Sequence, residues 1–322
     1  MKRKLVSVLL AALALAALPL AAPHSANATG ASPEAGRPPA VVKVSDLSQD
    51  ATALAYWTPA RMRAAAAADE AAAPGTAGSG PNSPGSGSSG SGGVAPGQGP
   101  PLFDVYSIGK LFIHRSHHGD FSCTAVTVSG GRRNNLAATA AHCLKDHNGP
   151  LARATYVPGY FNGTEPVGQF PLRGYALPNQ YDPYNPGKHD AGFMYFGQNC
   201  CGKNLGDVSN QNGIRFHDNP NQTVALAGYG NAQGNSQRLS DCTGIQAYSD
   251  PDDRTRIATN CLLGPGASGG PLLIPSSGNH RYDILISVNH GTTHSGNRQV
   301  GPLFGTQEKA AFDQAVADSA NF

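Results

Sequence analysis

An all-β fold closed by one terminal helix is what this sequence predicts, on two observations. After residue 102, short apolar runs alternate with clusters of Gly, Asn, Pro and Asp. The runs at 105–113, 123–129, 136–140, 152–157, 192–196, 223–227 and 284–288 read as strands, several of them rich in Val, Thr, Tyr and Phe. This spacing of short strands and turn signals predicts a barrel or a sandwich. Only the stretch 307–320 changes period: Ala310, Ala311, Phe312, Ala315 and Val316 fall at helical spacing. Two groups of strands, about 103–197 and 212–305, are each long enough to close a small barrel.

The chain ahead of these strands falls into three pieces. Met1-Lys2-Arg3-Lys4 precedes an almost unbroken Leu/Ala run over 5–22 and then Ala26-Asn27-Ala28. A basic start, an apolar run and a small-residue site predict a secretory signal peptide over 1–28. Pro19 argues against a membrane anchor, and no later run is long and apolar enough to span a bilayer. A secreted, extracellular protein with no stable membrane association is expected. Residues 29–73 hold an alanine-rich stretch at 61–73 of helical character and few large apolar side chains. They read as a small pro-segment or tether. Residues 74–101 are Gly, Ser and Pro with a few Ala, Asn and Gln, a composition that buries nothing and serves as a linker. Residues 102–322 are long enough for one substantial folded unit.

Net charge is +2 with 14% charged residues, so no basic field points to nucleic acid. Export makes disulfides plausible, and the six cysteines are an even number.

The chemistry is carried by two strings. Ser268 lies in Gly266-Ala267-Ser268-Gly269-Gly270-Pro271, and Thr139-Ala140-Ala141-His142-Cys143 lies far upstream. A serine hydroxyl needs a neighbouring base and donors for the oxyanion that forms. Glycines around Ser268 let the backbone turn sharply. Among eleven histidines, His142 stands out because it follows an apolar, small-residue strand and precedes Cys143. A disulfide from Cys143 to Cys123, in the strand before, would hold its backbone. Cys242 and Cys261 flank the approach to Ser268, and a bridge there would brace that loop. Cys200 and Cys201 are left over, and adjacent cysteines bond to each other only by distorting the peptide between them. Sequence alone leaves the connectivity open.

Thr139 to Cys143 and Gly266 to Pro271 resemble the two signature strings of trypsin-like, chymotrypsin-fold serine peptidases. The resemblance covers roughly 105–305. It implies two six-stranded antiparallel β-barrels with a C-terminal helix, and a cleft between them taking His142 from one and Ser268 from the other. The chain order His, Asp, Ser is that of the fold. The string Tyr156-Val157-Pro158-Gly159-Tyr160 and a Ser loop without an acid look most like secreted bacterial members near the glutamyl-endopeptidase branch. The family places its aspartate at the head of an apolar strand. Asp190, in Lys188-His189-Asp190-Ala191-Gly192, fits that place. Asp182, in a Pro-rich loop, is the rival. The resemblance implies an oxyanion hole from the N–H groups of Gly266 and Ser268, and a protein or peptide substrate.

Two departures matter. Relatives that mature by pairing a new N-terminus with an acid before the nucleophile have an aspartate where this chain has Ala267. Where trypsin carries an aspartate at its pocket base stands Leu262, so basic specificity is disfavoured. The pocket wall is expected at Ser287, Val288, Asn289, His290 and Gly291, with His290 or Asn289 a candidate for recognising an acidic side chain. The sequence leaves open whether the segment before 102 blocks the cleft or merely tethers. His114, His117 and His118, and Asp250, Asp252 and Asp253, read as solvated turns, so neither a metal nor a cofactor is expected. Oligomeric state is not legible. The rival function is a catalytically silent relative that binds peptides or a surface partner; an esterase using the same residues is a third reading. An α/β-hydrolase is disfavoured by motif order and by the lack of strand–helix alternation.

Overall fold

The computed structural model describes residues 40–43, 50–71 and 104–320, apart from 132, 148, 186, 233–235, 254–255, 277–282 and 294–295. All of them belong to one unit, Pro38–Phe322. The expected signal peptide (1–28) and linker (74–101) lie outside the described residues.

The first half contains β1 (Ala40–Lys43), α1 (Asp50–Tyr56), α2 (Pro59–Ala71), β2 (Ile108–Arg115), β3 (Gly119–Val128), β4 (Leu136–Thr139) and the one-turn α3 (Ala141–Leu144). It continues through β5 (Lys145–Asp146), β6 (Gly149–Pro150), β7 (Arg153–Pro158), β8 (Phe170–Leu177) and β9 (Gly192–Phe196). The second half contains α4 (Leu205–Val208), β10 (Gly213–Ile214), β11 (Gln222–Gly228), β12 (Ser240–Ser249), β13 (Arg256–Thr259) and β14 (Pro271–Ile274). After these come β15 (Ile284–Val288), β16 (Gly291–Thr292), β17 (Gln299–Pro302) and α5 (Thr306–Ser319).

Strands of the first half run in the order β1-β8-β7-β2-β3-β4-β9, and β8 also pairs with β9. Six strands therefore close into an antiparallel barrel, with β1 added outside the ring. Period-2 alternation sorts their side chains. Leu111 and Ile113 of β2 point into the barrel with Ala125, Tyr156, Phe170 and Phe196, whereas Ile108 and Phe112 join a second cluster. That second cluster takes Val126 and Val128 from β3 and also Ala225, Ala227, Leu285 and Val288 from the second half. It is the core that joins the halves.

Strands of the second half form a sheet in the order β10-β15-β14-β11-β12-β13-β17-β16. Along β11, Val224 and Leu226 face its own core with Leu272 and Ile286, while Ala225 and Ala227 face the joining core. The terminal helix packs on the barrel: Ala311 and Ala315 are buried, and Phe312 meets Phe193 edge-on at 5.5 Å. The fold class is the expected one: mostly β, with a closed six-stranded barrel, a second sheet and a C-terminal helix.

Local departures have local causes. The run expected as a strand from 105 begins as a 3-10 turn, Val105–Ser107, because the Asp104 carboxylate accepts the Tyr106 N–H at 2.8 Å. Strand β8 escaped the sequence reading because Pro171, Arg173 and Gly174 interrupt its apolar run. Gly174 is required there, since a Cβ would lie 2.2 Å from the Tyr195 hydroxyl. The helical stretch expected at 61–73 is α2, beginning at Pro59, a residue suited to a first helical turn.

Candidate active site

His142 is placed by α3, the single turn that follows β4. Cys143 is bridged to Cys123 on β3, as the sequence reading expected. The buried Arg115 guanidinium caps the turn, its Nη2 donating to the carbonyls of His142 (3.0 Å) and Cys143 (3.1 Å) while Nη1 pairs with Asp146 at 2.7 Å.

Of the two acids weighed, Asp190 is the one that meets His142. It is fully buried just ahead of β9. Its Oδ1 accepts the His142 backbone N–H at 2.8 Å, and its Oδ2 lies 2.7 Å from His142 Nδ1. One carboxylate thus holds both the backbone and the ring. Asp182 is exposed and accepts the N–H of Tyr184 within its own turn. The residue before Asp190, His189, adopts a left-handed backbone (φ 55°), and its Nδ1 lies 2.6 Å from the buried Glu308 of α5. The terminal helix therefore anchors the approach to the carboxylate.

His290 meets the same oxygen. Its Nδ1 hydrogen-bonds Asp190 Oδ2, and its ring stands edge-on to that of His142, centroids 5.9 Å apart. Burial alone would push the Asp190 carboxyl up, but the charges and hydrogen bonds of His142, then those of His290, outweigh it. They hold the carboxyl well below the usual carboxylate range. For His142, burial opposes protonation, yet the Asp190 charge and hydrogen bond prevail and raise it above an ordinary histidine.

Ser268 is half-buried on the turn ahead of β14. Gly266 (φ 88°) and Gly269 (φ 82°) take left-handed conformations, and a Cβ on Gly269 would lie 2.1 Å from Thr139 Oγ1. The N–H groups of Ala267, Gly269 and Gly270 donate to Gly264, Asn289 and Ala267 carbonyls. Those of Gly266 and Ser268 have no partner among the described residues. The Ser268 hydroxyl likewise makes no hydrogen bond among the described residues, His142 included.

One residue that sequence reasoning missed ties the two strings together. Thr124 of β3 donates its N–H to the Ser268 carbonyl (2.7 Å) and its hydroxyl to the Gly266 carbonyl (3.0 Å). Its Oγ1 accepts the Tyr229 N–H (2.9 Å), and its carbonyl accepts the Thr139 hydroxyl (2.7 Å). Being next to Cys123 was its only sequence signal.

The segment expected as a pocket wall sits beside the Ser268 turn. Asn289 is buried, exchanges backbone bonds with Gly269 and Gly270, and donates Nδ2 to the Ala267 carbonyl at 3.0 Å. Ser287 is fully buried with its hydroxyl on the Pro302 carbonyl (2.7 Å). The Gly291 carbonyl accepts from Gln299, which also accepts the Leu263 N–H next to half-buried Leu262. Cys242 is bridged to Cys261, which packs in the same core as Leu263 and Ala267.

Donor atoms of His142, Asp190 and His290 lie within 4.8 Å of one another. Both rings, however, turn Nδ1 to the same carboxylate oxygen, an arrangement that holds imidazoles. The other close set, Cys123, His142 and Cys143, has both sulfurs in a disulfide. Asp250 and Asp252 pair with Arg256 and Arg298, and His114 with Asp120. Cys200 and Cys201 are exposed thiols, with sulfurs 3.3 Å apart.

No protein-family model and no curated protein sequence matches this chain. Solved structures do. The crystal structure of protease Anisep from Arthrobacter nicotinovorans is 26% identical with a TM-score of 0.59, over 66% of this chain and 96% of that one. A thermostable serine protease, AL20, from an extremophilic microorganism is also 26% identical with a TM-score of 0.59, over 69% of this chain and all of the other. A Glu endopeptidase shares the fold at 18% identity and a TM-score of 0.53, over 66% and 91%. The fold is that of the trypsin-like, chymotrypsin-fold serine peptidases, and the chain is similar to these bacterial serine proteases.

Proposed function

We propose that this chain is an exported serine endopeptidase that hydrolyses peptide bonds through an acyl-enzyme. The observation that carries the reading is the grip of buried Asp190 on both the Nδ1 and the backbone of His142. With Nδ1 so held, Nε2 is the nitrogen that takes the Ser268 proton as the hydroxyl attacks the scissile carbonyl. It then returns that proton to the leaving amine. Catalysis requires the Ser268 hydroxyl and His142 Nε2 to come within hydrogen-bond reach, and such bonds often tighten only when substrate binds. The unpartnered N–H groups of Gly266 and Ser268 receive the oxyanion, each donor contributing about 2.7–4 kcal/mol to barrier lowering. His290 acts as a positioning residue: a second donor on Asp190 Oδ2 keeps the carboxylate ionised and fixes its plane.

On specificity, Leu262 offers no charge to a basic side chain. An acidic one would have to use His290 Nε2, because Nδ1 is engaged with Asp190. Export is supported by residues 1–28 and by two disulfides, which persist in oxidising compartments. Among the described residues, no helix is long and apolar enough to cross a membrane.

A serine-directed fluorophosphonate tests the reading. Labelling at Ser268 that disappears in Ser268→Ala and His142→Ala, together with peptide cleavage by the unmodified protein, is the expected result. A folded protein that takes no label would make it a silent, peptide-binding relative.

A further inference from the structure

We propose that the segment carrying β1, α1 and α2 is a permanent small chain of the folded protein, one that stays docked after the polypeptide is cut within 74–101. Three independent contacts carry this. Strand β7 pairs with only the first two residues of β8, Phe170 and Pro171. Ala40 to Lys43 of β1 pair with Gly174 to Leu177, covering the stretch of β8 edge that would otherwise be open. Trp57, the only tryptophan in the sequence, is fully buried in the core that joins the two halves. Its ring packs on Phe112 at 5.6 Å, and Gln169 Nε2 donates to its carbonyl at 2.8 Å.

Helix α2 supplies the third contact. Met62, Ala65 and Ala66 are buried, the buried Ser236 hydroxyl donates to the Ala66 carbonyl (3.0 Å), and Gln237 donates to that of Arg63 (3.2 Å). The segment thus grips the barrel and a loop of the second half together. Outside the core, the Tyr56 hydroxyl and the Arg61 guanidinium both hold Asp120 on β3. None of the hydrogen bonds, ion pairs or ring contacts of α1 and α2 among the described residues involves His142, Asp190, Ser268 or His290. Among the described residues, the contacts of α1 and α2 therefore complete the fold without touching these four side chains. The 74–101 stretch is Gly/Ser/Pro in composition, the kind of sequence in which proteolytic nicking concentrates.

The test uses the full-length protein carrying Ser268→Ala, with a recognition sequence for a site-specific protease inserted within 74–101. After cutting, the two pieces are expected to elute together in native buffer and to part only in denaturant. Trp57 emission should stay blue and shielded from acrylamide. Trp57→Ala should weaken retention of the small piece by more than about 100-fold in the same elution assay. Separation in native buffer, with or without unfolding of the large piece, or a red shift of Trp57 on cutting, would overturn the proposal. No step of this experiment uses catalysis, so its outcome is independent of the serine-peptidase reading.

Discussion

Asp190 and its two histidines make the residue-scale argument. Because the Asp190 charge raises His142, the imidazole stays protonated, and useless as a base, to a higher pH than a free histidine. The acid limb of kcat/KM should therefore have its midpoint above about 6.5, measured on a peptide substrate. Asp190→Asn should lower kcat by about 10⁴ while leaving the fold intact. His290→Ala has a sign of its own. Removing the His290 Nδ1–H donor from Asp190 leaves the carboxylate a stronger partner for His142. The acid limb should then move to higher pH, with kcat down and KM little changed. A limb that stays in place would remove His290 from the positioning role.

Thr124 shows why this scale was only partly legible. His142 and Ser268 were readable because their neighbours, Cys143 and the glycines, are forced by local geometry. Thr124 carries no such mark: its role comes from where β3 passes the nucleophile turn. Thr124→Val leaves the Tyr229 N–H without its acceptor, a cost of about 1–3 kcal/mol read as a lower melting temperature. It should also slow the labelling of Ser268, and Thr124→Ser should restore both.

At the scale of elements, β9 and β15 coincide with the runs expected at 192–196 and 284–288, because buried strands of β-branched and aromatic residues announce themselves. Strands β8 and β12 were missed for opposite reasons. One contains Pro171 and Gly174, tolerated where another chain segment approaches closely. The other, Ser240–Ser249, alternates small and polar residues whose partners lie on β11 and β13. The Cys242–Cys261 bridge links β12 to the approach of the nucleophile turn, closing a loop of 19 residues. Replacing both cysteines with serine should cost about 3 kcal/mol of unfolding free energy in denaturant titration. Slower Ser268 labelling is expected alongside.

Across the whole molecule, the leader is the element whose importance the chain order hides. Residues 29–73 read as a small pro-segment or tether, and within them Trp57 and Met62 lie fully buried in the joining core. Trp57→Ala in the uncut protein should cost about 3–5 kcal/mol, and so lower the melting temperature by several degrees, measured by calorimetry.

What the sequence by itself determined follows from short-range physics. Strand periodicity, the terminal helix and the glycine turn around Ser268 each depend on residues whose neighbours in the chain dictate the outcome. Which carboxylate meets His142, that His290 shares it, that Thr124 clasps the Ser268 turn and that β1, α1 and α2 join the barrel were decided only by tertiary structure. Each of these brings together groups far apart in the chain, and their meeting depends on barrel closure and core packing, which no local pattern encodes.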